Sequence, residues 1–214
     1  VRNTVWVVIF VSSLTGCSGI PTVPYEEPAQ SAQVARIRVI TNSDVSGDSI
    51  AGSCAPATRH KMAEAGRFGR DGWMNTSYPQ YPVAPVQLGM PQRTAPKLVE
   101  YIPAIRMAEG QYQEVVTEYR VRADLPFQIA TLGATIGSYG SSYSSCPGKA
   151  AVYKLEPGKD YEALVGVGSR PNGEGGYSLT CVLAVAEISP LAGTPLVLPL
   201  MLSPSAPPKV TCKP

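Results

Sequence analysis

Apolar and polar residues alternate with a period of two over several short stretches of the chain. Ala35, Ile37 and Val39 fall on one side of an extended segment, and Arg36 and Arg38 fall on the other. That pattern predicts a half-buried strand whose arginines face water. Val115, Thr117, Tyr119 and Val121 alternate with Val116, Glu118, Arg120 and Arg122, a second strand of the same kind. Phe127–Ile136 is a β-prone run, and a short strand is expected around Ile50. Ala150–Glu156 reads as a strand, Pro157-Gly158 as a type II turn, and Asp160–Gly168 as the returning partner. Tyr177–Ile188 is the last clear strand, with Tyr177, Leu179, Cys181, Leu183 and Val185 on one face.

Between these runs the periodicity disappears. Arg59–Phe68 is compatible with one or two helical turns, and the following residues are crowded by Pro79, Pro82, Pro85, Pro91, Pro96 and Pro103. Regular elements do not survive that density of proline. A loop of this length within one domain needs a reason. Six or seven strands and no long helix predict an all-β chain: a β-sandwich of immunoglobulin-like or transthyretin-like character, carrying an irregular insertion at about 55–112. The sandwich is expected over 34–188. The apolar, proline-broken tail 189–214 is either an edge strand or an extended partner-binding segment.

The first residues follow a different logic. Val1-Arg2-Asn3 carries one positive charge, Val5–Val11 is purely apolar, and Leu14-Thr15-Gly16-Cys17 follows Ser12 and Ser13. These are the parts of a secretory signal peptide, and the apolar run is far shorter than the roughly 20 residues a spanning helix needs. Leu14-Thr15-Gly16-Cys17 resembles the lipobox of bacterial lipoproteins. The resemblance covers about the first twenty residues. It implies a signal peptide over 1–16, cleavage between Gly16 and Cys17, and acyl chains, palmitate among them, on Cys17. Ser18 stands where an aspartate is the usual inner-membrane retention signal, so the resemblance implies export to the outer membrane; the sequence does not encode which face, and the periplasmic one is the expectation. Three chains on one residue hold firmly, since each buried CH₂ adds about 0.8 kcal/mol. Residues 17–33, with Pro21, Pro24 and Pro28, then read as a lipidated tether.

Charge adds little. Removal of 1–16 takes away Arg2 and no acid, leaving 17 basic and 16 acidic side chains and a net charge of +1. Nothing in that balance points to nucleic acid. Cysteine adds more. With Cys17 lipidated, Cys54, Cys146, Cys181 and Cys212 remain, an even number in an exported chain, with no C-x-x-C pair. Three connectivities are possible. Cys146–Cys181 with Cys54–Cys212 is preferred, because the first brackets a strand cluster and the second ties down the tail.

Candidate chemistry is sparse. His60 is the single histidine and the only possible base of a Ser-His-Asp hydrolase, but no G-x-S-x-G elbow accompanies it. Ser138–Ser142 lacks that pattern too. Glu26-Glu27, Glu114 with Glu118, and Asp160 with Glu162 are possible carboxylate pairs, all read as solvated. Asn42, Asp44 and Asp48 form a loose oxygen cluster without calcium-loop spacing, and Asn172–Gly176 is a hairpin loop. No metal or cofactor is expected. The remaining candidates are aromatic residues in loops: Trp73, Tyr78, Tyr81, Tyr101, Tyr139 and Tyr143. They suit a protein interface, or packing of the excursion against the body. The expected function is a non-catalytic binding or assembly module of the cell envelope with an envelope protein as partner. A toxin-neutralising immunity lipoprotein and an envelope hydrolase are the alternatives.

Overall fold

The computed structural model describes residues 21–29, 33–69, 72–93, 105–107, 110–136, 144–171 and 177–212. The lipobox residues Gly16 and Cys17 lie outside them. Among the described residues there is no helix. The strands are β1 (Thr22–Pro24), β2 (Val34–Thr41), β3 (Asp44–Ser49), β4 (Cys54–Ala55), β5 (Arg59–Glu64), β6 (Arg67–Phe68), β7 (Ile105–Met107) and β8 (Gly110–Tyr112). They continue with β9 (Val115–Arg122), β10 (Phe127–Ile136), β11 (Ser144–Tyr153), β12 (Asp160–Pro171), β13 (Tyr177–Pro190), β14 (Val197–Met201) and β15 (Val210–Thr211).

Two five-stranded sheets pack face to face, ordered β1-β5-β3-β10-β11 and β14-β13-β12-β2-β9. β11 lies against β13, β10 against β12, and β5 against β9. The alternation read from the sequence supplies the core. Ala35, Ile37 and Val39 of β2, Tyr119 and Val121 of β9, and Ala163 and Val165 of β12 face Met62, Phe127, Ile129 and Tyr153. Tyr25 closes one open side: its ring meets those of Tyr119 and Phe127 edge-on, at 5.5 Å and 6.2 Å, and its hydroxyl donates to the Arg120 carbonyl.

Several elements depart from the sequence expectation. Arg59–Glu64 is a strand inside a sheet, not helical turns, because Met62 and Ala63 are buried in the core. Thr22–Pro24, expected within the tether, pairs in parallel with β5, so the body begins earlier than residue 34. Lys159 donates its amide to the Glu156 carbonyl, so Pro157-Gly158 does form a turn. The turn carries the chain from one sheet to the other: β11 pairs with β10, whereas β12 pairs with β13 and β2. β11 and β12 are therefore not a hairpin.

The tail is an edge strand that continues as a strap. β14 pairs with β13, Ser205 exchanges backbone hydrogen bonds with Val152 of β11, and β15 pairs with β4. Cys54–Cys212 fixes the end of this strap, and Cys146–Cys181 joins β11 to β13 across the two sheets. These are the pairings preferred from the sequence.

The largest departure lies on the outer face of the second sheet. The register places Glu118, Arg38 and Glu162 in one row across β9, β2 and β12. All three side chains are at most 1% exposed, where the alternation predicted solvated charges. The cause is segment 86–93 of the excursion, which lies over this row as a third layer. Five hydrogen bonds satisfy the Arg38 guanidinium. Nε and Nη2 donate to Glu118 (2.9 and 2.7 Å), Nη1 to Glu162 and the Pro91 carbonyl (both 2.9 Å), and Nη2 also to the Met90 carbonyl (2.9 Å). The Leu88 amide donates to Glu118, and Arg93 lies 2.9 Å from Glu162. In the next row Arg36 binds Asp160 through two hydrogen bonds, 2.6 and 2.8 Å long. Met90 completes the layer by packing on Ile188 and Val197.

Removing one member of a buried, hydrogen-bonded ion cluster strands the rest. Arg38→Met is therefore expected to cost about 3–5 kcal/mol and to free segment 86–93. Urea denaturation reads the first effect. Limited chymotrypsin digestion reads the second, as faster cleavage after Leu88. A variant as stable and as resistant as the parent would contradict this role.

Candidate functional site

Three places on the molecule offer chemistry or recognition. The first is the pair Asp48 and His60, from adjacent strands. β3 and β5 are antiparallel neighbours with a register shift after Val45, and twelve residues of sequence separation collapse into one contact. Asp48 is 4% exposed and accepts a hydrogen bond from His60 Nδ1, while the imidazole is 40% exposed. A carboxylate at Nδ1 holds the proton there and leaves Nε2 as the free basic nitrogen. The pair borders a cavity of about 270 Å³, together with Tyr25, Glu26, Ser49 and Arg122. Burial pushes the Asp48 carboxyl above its ordinary range, outweighing the opposing pull of His60. Burial likewise raises the Tyr25 hydroxyl, and it raises the Tyr119 hydroxyl to about 12.

The other sequence candidates fall apart as clusters. Asn42 binds the backbone of Val167, Asp44 binds Thr131 and the Leu132 amide, and Asp48 faces His60. No metal-holding group of His, Cys, Asp or Glu is found among the described residues. Asp160 and Glu162 do share a strand face, but arginines occupy them. Glu118 lies in the same ionic cluster, Glu114 is part-buried with its carboxyl raised by burial, and Glu27 accepts from the Arg120 amide. None of these carboxylates stands as a free acid–base pair.

The second place is the excursion. Trp73 is 79% exposed, Tyr78 is 52% exposed and Val83 is 71% exposed. The Arg67 guanidinium sits over the Tyr78 ring at 4.0 Å. Backbone hydrogen bonds hold this stretch to the body: Glu64 exchanges two with Tyr81, and the Arg67 amide donates to Tyr78. Tyr81 is half-buried against β5, so it packs the excursion instead of facing outward. Tyr101, Tyr139, Tyr143 and the loop Asn172–Gly176 lie outside the described residues.

The third place is β14, with Leu198, Leu200 and Met201 exposed. Leu202 donates to Val185, and Leu196 accepts from Leu191. The even-numbered residues of this strand thus turn their backbone groups toward β13. Pro199 turns outward, at the one position where its missing N–H blocks a further strand.

Asp48 generates a pH test. Its raised folded-state pKa means that its contribution to stability is complete below the ordinary value of 3.8 and is lost as pH rises through the folded-state value. An asparagine in place of Asp48 keeps an acceptor for Nδ1 and removes that loss. Asp48→Asn should therefore gain stability relative to the parent over the range from below 3.8 upward through the folded-state value, as read from urea midpoints. A constant difference across that range would exclude the effect. No known protein family, curated protein or solved structure matches this chain.

Proposed function

We propose that this protein is a lipid-anchored module of the bacterial outer membrane, held on the periplasmic face through Cys17, which binds an envelope protein through its clamped excursion. Leu14-Thr15-Gly16-Cys17 supports the anchor. Two disulfides suit an oxidising compartment outside the cytoplasm. The observation that carries the binding reading is the combination in segment 73–93. Its C-terminal part is pinned by the buried Arg38 cluster, while Trp73, Tyr78 and Val83 stay in solvent. Aromatic groups on a backbone that is already fixed give large contact area at small entropic cost. Exposed side chains with no role in the core have no structural need to be this large and apolar.

Cys17→Ser is expected to abolish palmitate labelling and to move the protein from the membrane to the soluble fraction. A photoreactive residue at position 83 should crosslink one envelope protein in living cells. Trp73→Ala with Tyr78→Ala should reduce that product about thirtyfold, the scale of losing a binding hot spot of about 2 kcal/mol. Stability should stay within about 0.5 kcal/mol, because the sites are exposed. Palmitate labelling that persists in Cys17→Ser would refute the anchor, and an undiminished crosslink would refute the surface.

One observation favours the hydrolase alternative: His60 borders the 270 Å³ cavity with a buried carboxylate at its Nδ1. His60→Ala separates the two readings. Crosslinking survives it if the excursion is the working surface, whereas an envelope-hydrolysing activity would be lost.

A further inference from the structure

The two sheets separate at one end of the sandwich, beside the Cys146–Cys181 disulfide. Two glycines mark this end, one on β10 and one on β12. At Gly133 of β10, φ is +91°, and a Cβ would lie 2.2 Å from the Cys146 carbonyl oxygen. At Gly166 of β12, a Cβ would lie 2.2 Å from Asn42 Oδ1. Asn42 needs that approach, because β2 ends at Thr41 and the Asn42 side-chain amide continues the ladder. Its Nδ2 donates to the Val167 carbonyl (2.8 Å), and the Val167 amide donates to its Oδ1 (2.9 Å). The Cys146–Cys181 disulfide spans the two sheets at this end.

The result is a slot of about 290 Å³. Ala134, Pro147, Val167, Leu183 and the disulfide form its apolar walls. Lys149 is the one charged residue among the described residues that line it. It stands beside Thr131 on the neighbouring strand, and its side chain is exposed. A well-packed sandwich has no need of such a space. An apolar void of about 150 Å³ already holds benzene, so this slot takes an alkyl chain of roughly ten carbons.

We propose that the slot binds a single-chain amphiphile with an anionic head: the alkyl chain lies between the sheets and a carboxylate meets Lys149 at the mouth. The medium-chain fatty acids have this chemistry. The site is independent of the excursion surface and of the reading built on it. An apolar wall alone would accept any hydrocarbon. Among the described lining residues Lys149 carries the one charge, and its ammonium favours an acid, since a cationic head would be repelled and a neutral one would gain nothing from it.

The test uses the full chain carrying Cys17→Ser, so that no detergent is required, and a series from hexanoate to tetradecanoate followed by calorimetry. Binding should saturate at one ligand per chain. Affinity should rise about threefold to fourfold per methylene and level off near ten carbons. Ala134→Phe, which fills the slot, should abolish binding. Lys149→Met should weaken decanoate about fivefold and leave decanol unchanged. If the filled variant does not fold, the chain-length series and Lys149→Met still decide. Absence of saturable binding, or affinity that keeps rising through tetradecanoate, would overturn the slot. Equal weakening of acid and alcohol would overturn the role of Lys149.

Discussion

The Arg38 guanidinium organises the half of the molecule that the hydrophobic core does not. Its five donors reach two strands and two backbone carbonyls of the excursion. The cost of burying charge is large unless every group is partnered, and here Arg38 and Arg93 oppose Glu118 and Glu162, two charges of each sign. Hydrophobic replacements of the same volume often serve stability as well or better. What they do not do is discriminate between arrangements. β2 sits between an antiparallel neighbour, β9, and a parallel one, β12. A one-residue slip of β2 would turn Arg38 into the core and Ile37 outward. The row Glu118–Arg38–Glu162 makes that slip far more costly than the loss of apolar contact alone, and it fixes where the excursion lands.

This arrangement explains which parts of the fold were legible in the sequence. The inner faces of β2 and β9 were readable because burial of every second residue leaves a period of two. The outer face of β2 gave a false reading for the same reason. Arg36 and Arg38 alternate with apolar residues whether the polar side meets water or a compensating ion cluster. The segment 86–93 carried no pattern at all, because its backbone amides and carbonyls make the contacts to Glu118 and Arg38. Side-chain periodicity cannot report bonds made by the main chain.

The remaining misreadings share another cause, the local character of the signal. β5 contains Arg59-His60-Lys61, which looks solvated, and only Met62 and Ala63 betray the core. β1 is three residues long and ends in a proline, so its place is set by pairing with β5 and not by its own composition. The Asp48–His60 contact has one sequence signal, a single histidine that leaves few partners to consider. It stays hidden because recognising it requires the β3–β5 register, and no alternation marks β5 as a strand.

The sheet edges bear on how recognition takes place. The outer edge of β9 donates the Glu118 amide to Val86, and the outer edge of β11 exchanges hydrogen bonds with Ser205. β1 is too short to template a long strand, and the outward position at the centre of β14 is Pro199, which has no N–H to give. Among the described residues, the four edges of the two five-stranded sheets are thus covered, short or broken. A partner that added a strand would find little backbone to pair with on these two sheets, which favours association through side chains. That preference singles out surfaces where large side chains are presented on a fixed backbone. Among the described residues, the excursion meets it through Trp73, Tyr78 and Val83. The clamp that holds its far end is the same ionic row that sets the register of the sheet beneath, so shape at the surface and order in the sheet have one physical origin.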